Sequence, residues 1–174
     1  MMNRVFLICI FSLLLIGCSE GDIINDDFSF TATLENCSNG DDFVFFKIDS
    51  TIDQAFSLGF TSTTFELNTV PETLTSTFAL NGTTSVLVYR KFDTTIDGQA
   101  YFCTSVPPGN ILVTRELTAS NGTVTINYVE ISQTATEITY TRSITITNVT
   151  LLGEDIEVRQ EVIEFGADEI TIAK

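Results

Sequence analysis

The residues best placed by type and spacing to do chemistry are four aspartates in two similar segments. Residues 47–55 and 91–100 agree at most positions when Gly98 is treated as an insertion, and they carry two aspartates each, Asp49 and Asp53, then Asp93 and Asp97. Several oxygen ligands in one loop can hold calcium, although neither segment has the alternating spacing of an EF-hand. The competing interpretation is that each aspartate caps its own turn. The similarity predicts equivalent loops at one end of two hairpins.

The residue types that the chain lacks remove most catalytic chemistries. Histidine is absent, which excludes Ser-His-Asp and Cys-His arrangements and histidine zinc sites. No glycine-rich phosphate loop of standard spacing is present. What remains is a carboxylate pair of the kind used in glycoside hydrolysis, and carboxylates are too plentiful here to single out one pair. We therefore expect no enzyme and no cofactor, with a carboxylate-based hydrolase as the weakest alternative.

The N-terminus carries a secretion signal. After Arg4, the apolar run from Val5 to Ile16 is shorter than the roughly 20 residues needed to span a membrane. Leu15-Ile16-Gly17-Cys18 resembles the lipobox of bacterial lipoproteins. The resemblance implies removal of residues 1–17, lipidation of Cys18 on its thiol and its new amine, and a stable membrane anchor.

An acidic stretch follows the lipobox. Ser19 stands where an inner-membrane retention aspartate is typically found, and acidic residues follow it at Glu20, Asp22, Asp26 and Asp27. This stretch resembles the surface-export signal of Bacteroidota lipoproteins, which implies an outer-membrane protein exposed at the cell surface. A solvated acidic linker is the alternative. We divide the chain into a signal peptide (1–17), a lipidated acidic tether (18–28) and one folded domain (29–174).

Two cysteines remain for the folded domain, because Cys9 lies in the signal peptide and Cys18 carries lipid. Cys37 and Cys103 are therefore an isolated pair in an oxidising compartment, and we predict a disulfide between them. Two buried free thiols are the alternative. A metal site is not expected from two cysteines without histidine.

The net charge of the chain limits the classes of partner that it can bind. The net charge is −15, and an acidic surface repels nucleic acid and anionic lipid headgroups. We expect no nucleic-acid partner. The expected partners are the membrane, through the N-terminal lipid, and a glycan or another envelope protein.

The folded domain is rich in Thr, Val, Ile and Phe, which favours strands. Predicted strands cover Asp42–Asp49, Ala55–Phe60, Thr64–Thr69, Thr75–Leu80, Thr84–Phe92 and Gln99–Thr104, and alternating patterns predict more over residues 111–173. Asn81-Gly82, Asn121-Gly122 and Gly153-Glu154-Asp155 are the predicted turns, and the two Asn-Gly pairs are predicted to be hairpin turns. About ten strands with inward apolar residues predict an antiparallel β-sandwich, with a soluble β-barrel as the alternative.

Arg142 is a charged residue at a position where the strand pattern predicts an apolar one. It alternates in phase with Tyr140 and Ile144, which should face inward. An inward arginine with a partner would be a candidate ligand contact, whereas an arginine that snorkels at a sheet edge would be structural.

Two short motifs in the repeated segments suggest modification. Asp49-Ser50-Thr51 and Asp93-Thr94-Thr95 resemble the O-glycosylation sequon of Bacteroidota envelope proteins, which implies glycans on Ser50 and Thr94.

The whole chain resembles small outer-membrane lipoproteins of Bacteroidota. The matching features are the lipobox, the acidic tether, and Tyr101-Phe102-Cys103 followed by Pro107-Pro108. The resemblance implies a location and a β-rich fold and supplies no activity. We expect a non-enzymatic surface binding or accessory module. The alternative is a structural or assembly component of an outer-membrane complex, whose edge strands pair with partners.

Overall fold

The computed structural model of the chain describes residues 28, 30–39, 42–61 and 65–174. The lipobox, Cys18 and most of the acidic tether lie outside these residues. The described elements, in chain order, are β1 (Glu35–Asn39), β2 (Asp42–Asp49), β3 (Gln54–Thr61), β4 (Thr75–Ala79), β5 (Ser85–Phe92), α1 (Gly98–Phe102), β6 (Val113–Gln133), β7 (Glu137–Leu152) and β8 (Glu157–Ala173).

The described strands form one curled antiparallel sheet. Its order is β1-β2-β3-β5-β6-β7-β8, and β4 pairs with a later part of β6 than β5 does. The predicted all-β, antiparallel class is confirmed. The finer prediction of a ten-strand sandwich is not, because the eight strands of the described chain curl into a half-barrel instead of stacking as two layers. None of the helices in the described ranges is long and apolar enough to cross a membrane.

Strand β6 is long enough to take two partners along one edge. Its first part pairs with β5 from Val113 to Thr118, and its second part pairs with β4 from Thr123 to Asn127. The predicted hairpin between β4 and β5 is therefore wrong, since these strands lie end to end along β6. The Asn81-Gly82 turn itself is present: Asn81 Oδ1 accepts hydrogen bonds from three following backbone N–H groups, and Gly82 has φ +71°.

The second Asn-Gly pair does not turn the chain back. Gly122 has φ +134°, and the register with β7 shifts on both sides of Asn121, so the pair forms an irregularity inside a continuous β6. The Asn121 side-chain oxygen accepts the Thr150 N–H at 2.8 Å, which holds the bulge against β7. The predicted hairpin here is wrong because Asn-Gly favours positive φ in a bulge as well as in a turn.

The main core lies on the concave face of the half-barrel. Aromatic and aliphatic side chains from β2, β3 and β5 to β8 pack together there with Phe28, Phe30, Leu34, Phe65 and Leu67. Lys47 is buried among them at 1% exposure. Its Nζ donates to the carbonyl oxygens of Phe30 at 2.9 Å and Glu164 at 3.0 Å, so it links β2 to β8 across the curl.

A smaller apolar cluster covers the convex face of β2, β3 and β5. It contains Ala55, Phe92 and Ile96, and α1 packs over it. The predicted strand Gln99–Thr104 is wrong, because Asp97 caps a short helix by accepting the Ala100 N–H at 3.0 Å. The predicted strand Thr64–Thr69 is also wrong over its described part, which is a turn-containing segment at the rim of the core.

Candidate functional site

An open trough lies on the convex face of the sheet. Val44, Gly59 and Val86 are direct neighbours across β2, β3 and β5, and they form a row along its floor. Phe102 of α1 lines one side. Asp42, Thr61, Thr83 and Thr84 also line the trough, toward the far ends of the strands. Its volume is about 310 Å³.

Gly59 keeps this trough open. It is not among the residues with positive φ. A Cβ built on it would lie 3.9 Å from the Phe43 carbonyl oxygen and 4.0 Å from that of Val86, which are ordinary contact distances. Glycine inside a strand weakens the strand because it has no side chain to pack and loses more conformational entropy. Neither the backbone nor crowding requires glycine here, so its structural effect is the empty space above it.

The aromatic wall of the trough is held from two directions. Phe102 stacks on Phe46 of β2 with ring centroids 4.9 Å apart. The next residue, Cys103, is joined to Cys37 of β1, and the two sulfur atoms lie 2.06 Å apart, as the sequence predicts. Gln99 of α1 also donates to the Glu35 carboxylate at 2.9 Å. These contacts fix α1 and its Phe102 ring at the edge of the trough.

Sequence reasoning missed the trough because it depends on the register of three strands. Val44, Gly59 and Val86 are far apart in the chain and become neighbours only through pairing. The one available signal was Gly59 itself, a glycine between Leu58 and Phe60 in a strand with no other breaker. Such an isolated glycine suggests a bulge or a close approach to the backbone.

Arg142 lies on the concave face, on the other side of the sheet from the trough. It is buried at 2% exposure, so the phase argument that turned it inward is confirmed. Its Nε and Nη2 donate to the two carboxylate oxygens of Asp168 at 2.9 and 2.5 Å, and Nη1 donates to the Leu67 carbonyl at 2.7 Å. β7 is an interior strand, so Arg142 does not snorkel at a sheet edge.

The Arg142–Asp168 pair also connects the two ends of the sheet. Asn36 of β1 donates to Asp168 of β8 at 2.9 Å, although neither strand pairs with the other through its backbone. The guanidinium lies 4.7 Å from the centre of the Phe45 ring. This arrangement is a clasp inside the half-barrel. As a ligand contact, Arg142 stays a prediction.

Tyr128 faces Arg142 across β6 and β7. Its buried hydroxyl has no hydrogen-bond partner of acceptable geometry. Burial raises the pKa of Tyr128, against the lowering effect of the nearby Arg142 guanidinium, while Asp168 adds to the rise. The neutral phenol is therefore the favoured state in the fold.

The four aspartates of the repeated segments all accept hydrogen bonds, but only two of them cap their own turns. Asp49 accepts from the N–H and hydroxyl of Thr51 at 2.9 and 2.5 Å, and Asp93 accepts the Leu112 N–H at 2.9 Å. Asp97 caps α1, and Asp53 accepts from the Thr95 hydroxyl at 2.7 Å. Within the described ranges, no three Asp, Glu, Cys or His side chains are placed to hold a metal ion. The turn-capping interpretation holds for Asp49 and Asp97, whereas Asp53 and Asp93 accept hydrogen bonds from residues outside their own turns.

The two repeated segments do lie side by side at one end of the sheet. The Asp53–Thr95 hydrogen bond joins them directly. The first is a hairpin loop, whereas the second opens a long connection that contains α1, so the prediction of two equivalent hairpins is wrong. The candidate glycosylation residues Ser50 and Thr94 are both exposed at this end.

Comparisons with known proteins find no similar protein. The chain matches no protein-family model, no curated protein and no solved structure.

Proposed function

We propose that this chain is a lipid-anchored protein of the outer membrane that binds a ligand in the trough above Gly59 and carries out no chemistry on it. The observation that carries the binding role is the trough itself. It combines an apolar floor, an aromatic wall and polar groups at one end, which is the usual make-up of a ligand site.

The cellular part of the proposal is supported by the N-terminal sequence and by the disulfide. The lipobox ending in Cys18 provides the anchor, and the Cys37–Cys103 pair suits an oxidising compartment outside the cytoplasm. The acidic tether supports export to the cell surface. A surface lipoprotein with a preformed trough is suited to capturing a ligand for a larger envelope system.

The cellular location is tested by labelling and by proteolysis. Radiolabelled palmitate should enter the wild-type chain and not Cys18→Ala. External protease should then digest the protein on intact cells while a periplasmic control protein survives. Survival of the protein on intact cells, together with digestion after lysis, would place it facing the periplasm and contradict surface exposure.

The binding role is tested separately by thermal unfolding. A ligand that binds only the folded state raises Tm. When fractions of the extracellular medium are added to the wild-type protein one at a time, at least one of them should therefore raise its Tm. The same fraction should leave the Tm of Gly59→Val unchanged, because the valine side chain would fill the trough. An equal rise for both proteins would place the binding elsewhere.

A second candidate function, an assembly component, is favoured by strand β8. It is 17 residues long and, among the described strands, pairs only with β7. The part of this edge from Glu157 to Ile163, before the contacts of Glu164 and Asp168 with β2 and β1, can receive a strand from a partner. A photo-crosslinker at Glu161 should then yield one defined crosslinked species on intact cells, and it should persist in Gly59→Val.

A further inference from the structure

We infer that the trough binds a neutral saccharide ring, with the ring face on the floor of Val44, Gly59 and Val86 and its hydroxyls toward Asp42 and the threonines. This inference rests on the proposed function, because it names the ligand class of the same site.

The shape of the trough favours a small ring. The floor dips at Gly59 because no side chain rises there, and the valines on either side are its direct cross-strand neighbours. The volume of about 310 Å³ lies at the lower end of small-molecule sites, which hold roughly 300–1,000 Å³. A small ring fits this space better than a long chain.

The chemistry of the lining is divided as a saccharide requires. The C–H face of a sugar ring is apolar and can rest on the valines and on the Phe102 ring, which presents a large apolar surface. Sugar hydroxyls are donors and acceptors. The Asp42 carboxylate accepts hydrogen bonds, and the hydroxyls of Thr83 and Thr84 can both donate and accept.

The negative charge of the trough and of the whole chain limits which saccharides can bind. Asp42 lies on the trough and the whole chain carries a net charge of −15, so phosphate, sulfate and uronate groups are repelled. A wholly apolar partner is disfavoured for a different reason. It would cover the Asp42 carboxylate and the threonine hydroxyls without replacing their hydrogen bonds to water, which costs free energy.

The test measures binding of the full chain, in micelles of a detergent without a sugar headgroup, to an array of neutral oligosaccharides. We expect the wild type to bind at least one of them. Gly59→Val should bind it at least about tenfold more weakly, because its side chain occupies the volume that the ring needs. Gly59→Ala should give a smaller loss. Asp42→Asn should also weaken binding, because an amide is a poorer acceptor than a carboxylate.

Gly109→Ala is the matched control. Gly109 is exposed and a Cβ there would meet nothing within 4 Å, so this variant should bind like the wild type. The Tm of each variant is measured alongside. Because Gly59 has room for a Cβ, Gly59→Ala should have a Tm at least equal to that of the wild type, and its loss of binding then cannot come from unfolding.

The inference is overturned if no neutral oligosaccharide binds, or if Gly59→Val and Gly59→Ala bind as tightly as the wild type. An apolar peptide or a lipid that binds in place of sugars, and loses its binding in Gly59→Val, would overturn the saccharide and leave the proposed binding function standing. If no ligand of any class depends on Gly59, the saccharide inference and the proposed function both fail.

Discussion

Phe102 stacks on Phe46 with ring centroids 4.9 Å apart, and this contact joins α1, which ends next to the disulfide-bonded Cys103, to strand β2. Phe102 also lines the trough. The wall of the candidate site is therefore held by the same contacts that stabilise the convex face of the sheet.

Removal of the disulfide should lower the stability of the whole fold. Cys37 and Cys103 are 66 residues apart, and closing a loop of that length contributes about 4 kcal/mol in the chain-entropy model. The double variant Cys37→Ser, Cys103→Ser should lose about that much of its free energy of unfolding in urea denaturation. An unchanged free energy of unfolding would show that the link does not constrain the unfolded chain.

Gly98 at the start of α1 should not tolerate a side chain. A Cβ there would lie 2.4 Å from Phe46 Cε2 and 2.6 Å from Ile48 Cδ1. Overpacking of this kind costs about 1–3 kcal/mol. Urea denaturation of Gly98→Ala should show that loss, and Gly109→Ala, which has open space, should show almost none. Equal stability of the two variants would mean that α1 is not seated on Phe46.

The opposite result is expected at Gly59. Alanine in a strand interior is more favourable than glycine by roughly 0.5–1 kcal/mol, and a Cβ at this position meets nothing closer than 3.9 Å. Gly59→Ala should raise the free energy of unfolding by about that amount. A destabilised variant would show that the space above Gly59 is not open in solution.

Much of the strand pattern followed from the sequence. Strand β2 has its predicted bounds, Asp42–Asp49, because an apolar run rich in Phe and Val has few other uses. The alternating pattern of β7 correctly predicted that the Arg142 side chain faces inward. The cysteine pairing followed once the other two cysteines had been assigned to the signal peptide and the lipid.

The predictions that failed depend on information that is not local. Asn121-Gly122 has the same residue preference in a bulge as in a turn, and only the pairing of β6 with β4 and β5 decides between them. Tyr101 and Phe102 favour strands by type, yet the Asp97 cap and the contact with Phe46 make a helix. The trough could not be predicted because it depends on the register between β2, β3 and β5.

The clasp inside the half-barrel should make a large contribution to stability. The side chains of Arg142 and Asp168 are 3% and 13% exposed, and removal of one partner of such a buried pair costs about 3–5 kcal/mol. Asp168→Ala should show this loss in urea denaturation. The exposed pair Arg159–Glu157 is the matched control, and Glu157→Ala should cost less than about 1 kcal/mol. Similar losses for both variants would contradict a structural role for the clasp.

Tyr128 should make the fold sensitive to alkali. Its pKa is raised above the ordinary value of 10.0, mainly by burial, so the folded state holds the phenol proton more tightly than the unfolded state. The contribution of the neutral phenol to folding stability is therefore fully present below pH 10.0. It is lost as the pH rises from 10.0 through the raised pKa of the folded state. Urea denaturation of Tyr128→Phe should show a smaller alkaline loss than the wild type.

The same variant tests the unpartnered hydroxyl at neutral pH. A buried hydroxyl without a hydrogen bond costs about 1–3 kcal/mol, so Tyr128→Phe should be at least as stable as the wild type. A clear loss of stability would mean that the hydroxyl has a hydrogen-bond partner in solution.

The most direct test of the central claim, that the trough above Gly59 is the binding site, is two-dimensional NMR mapping of the full chain with a ligand that binds it. We expect the shifted amide signals to cluster at Val44, Gly59 and Val86. Signals that shift only around Ser50 and Thr94, at the other end of the sheet, or only along β8, would contradict the claim.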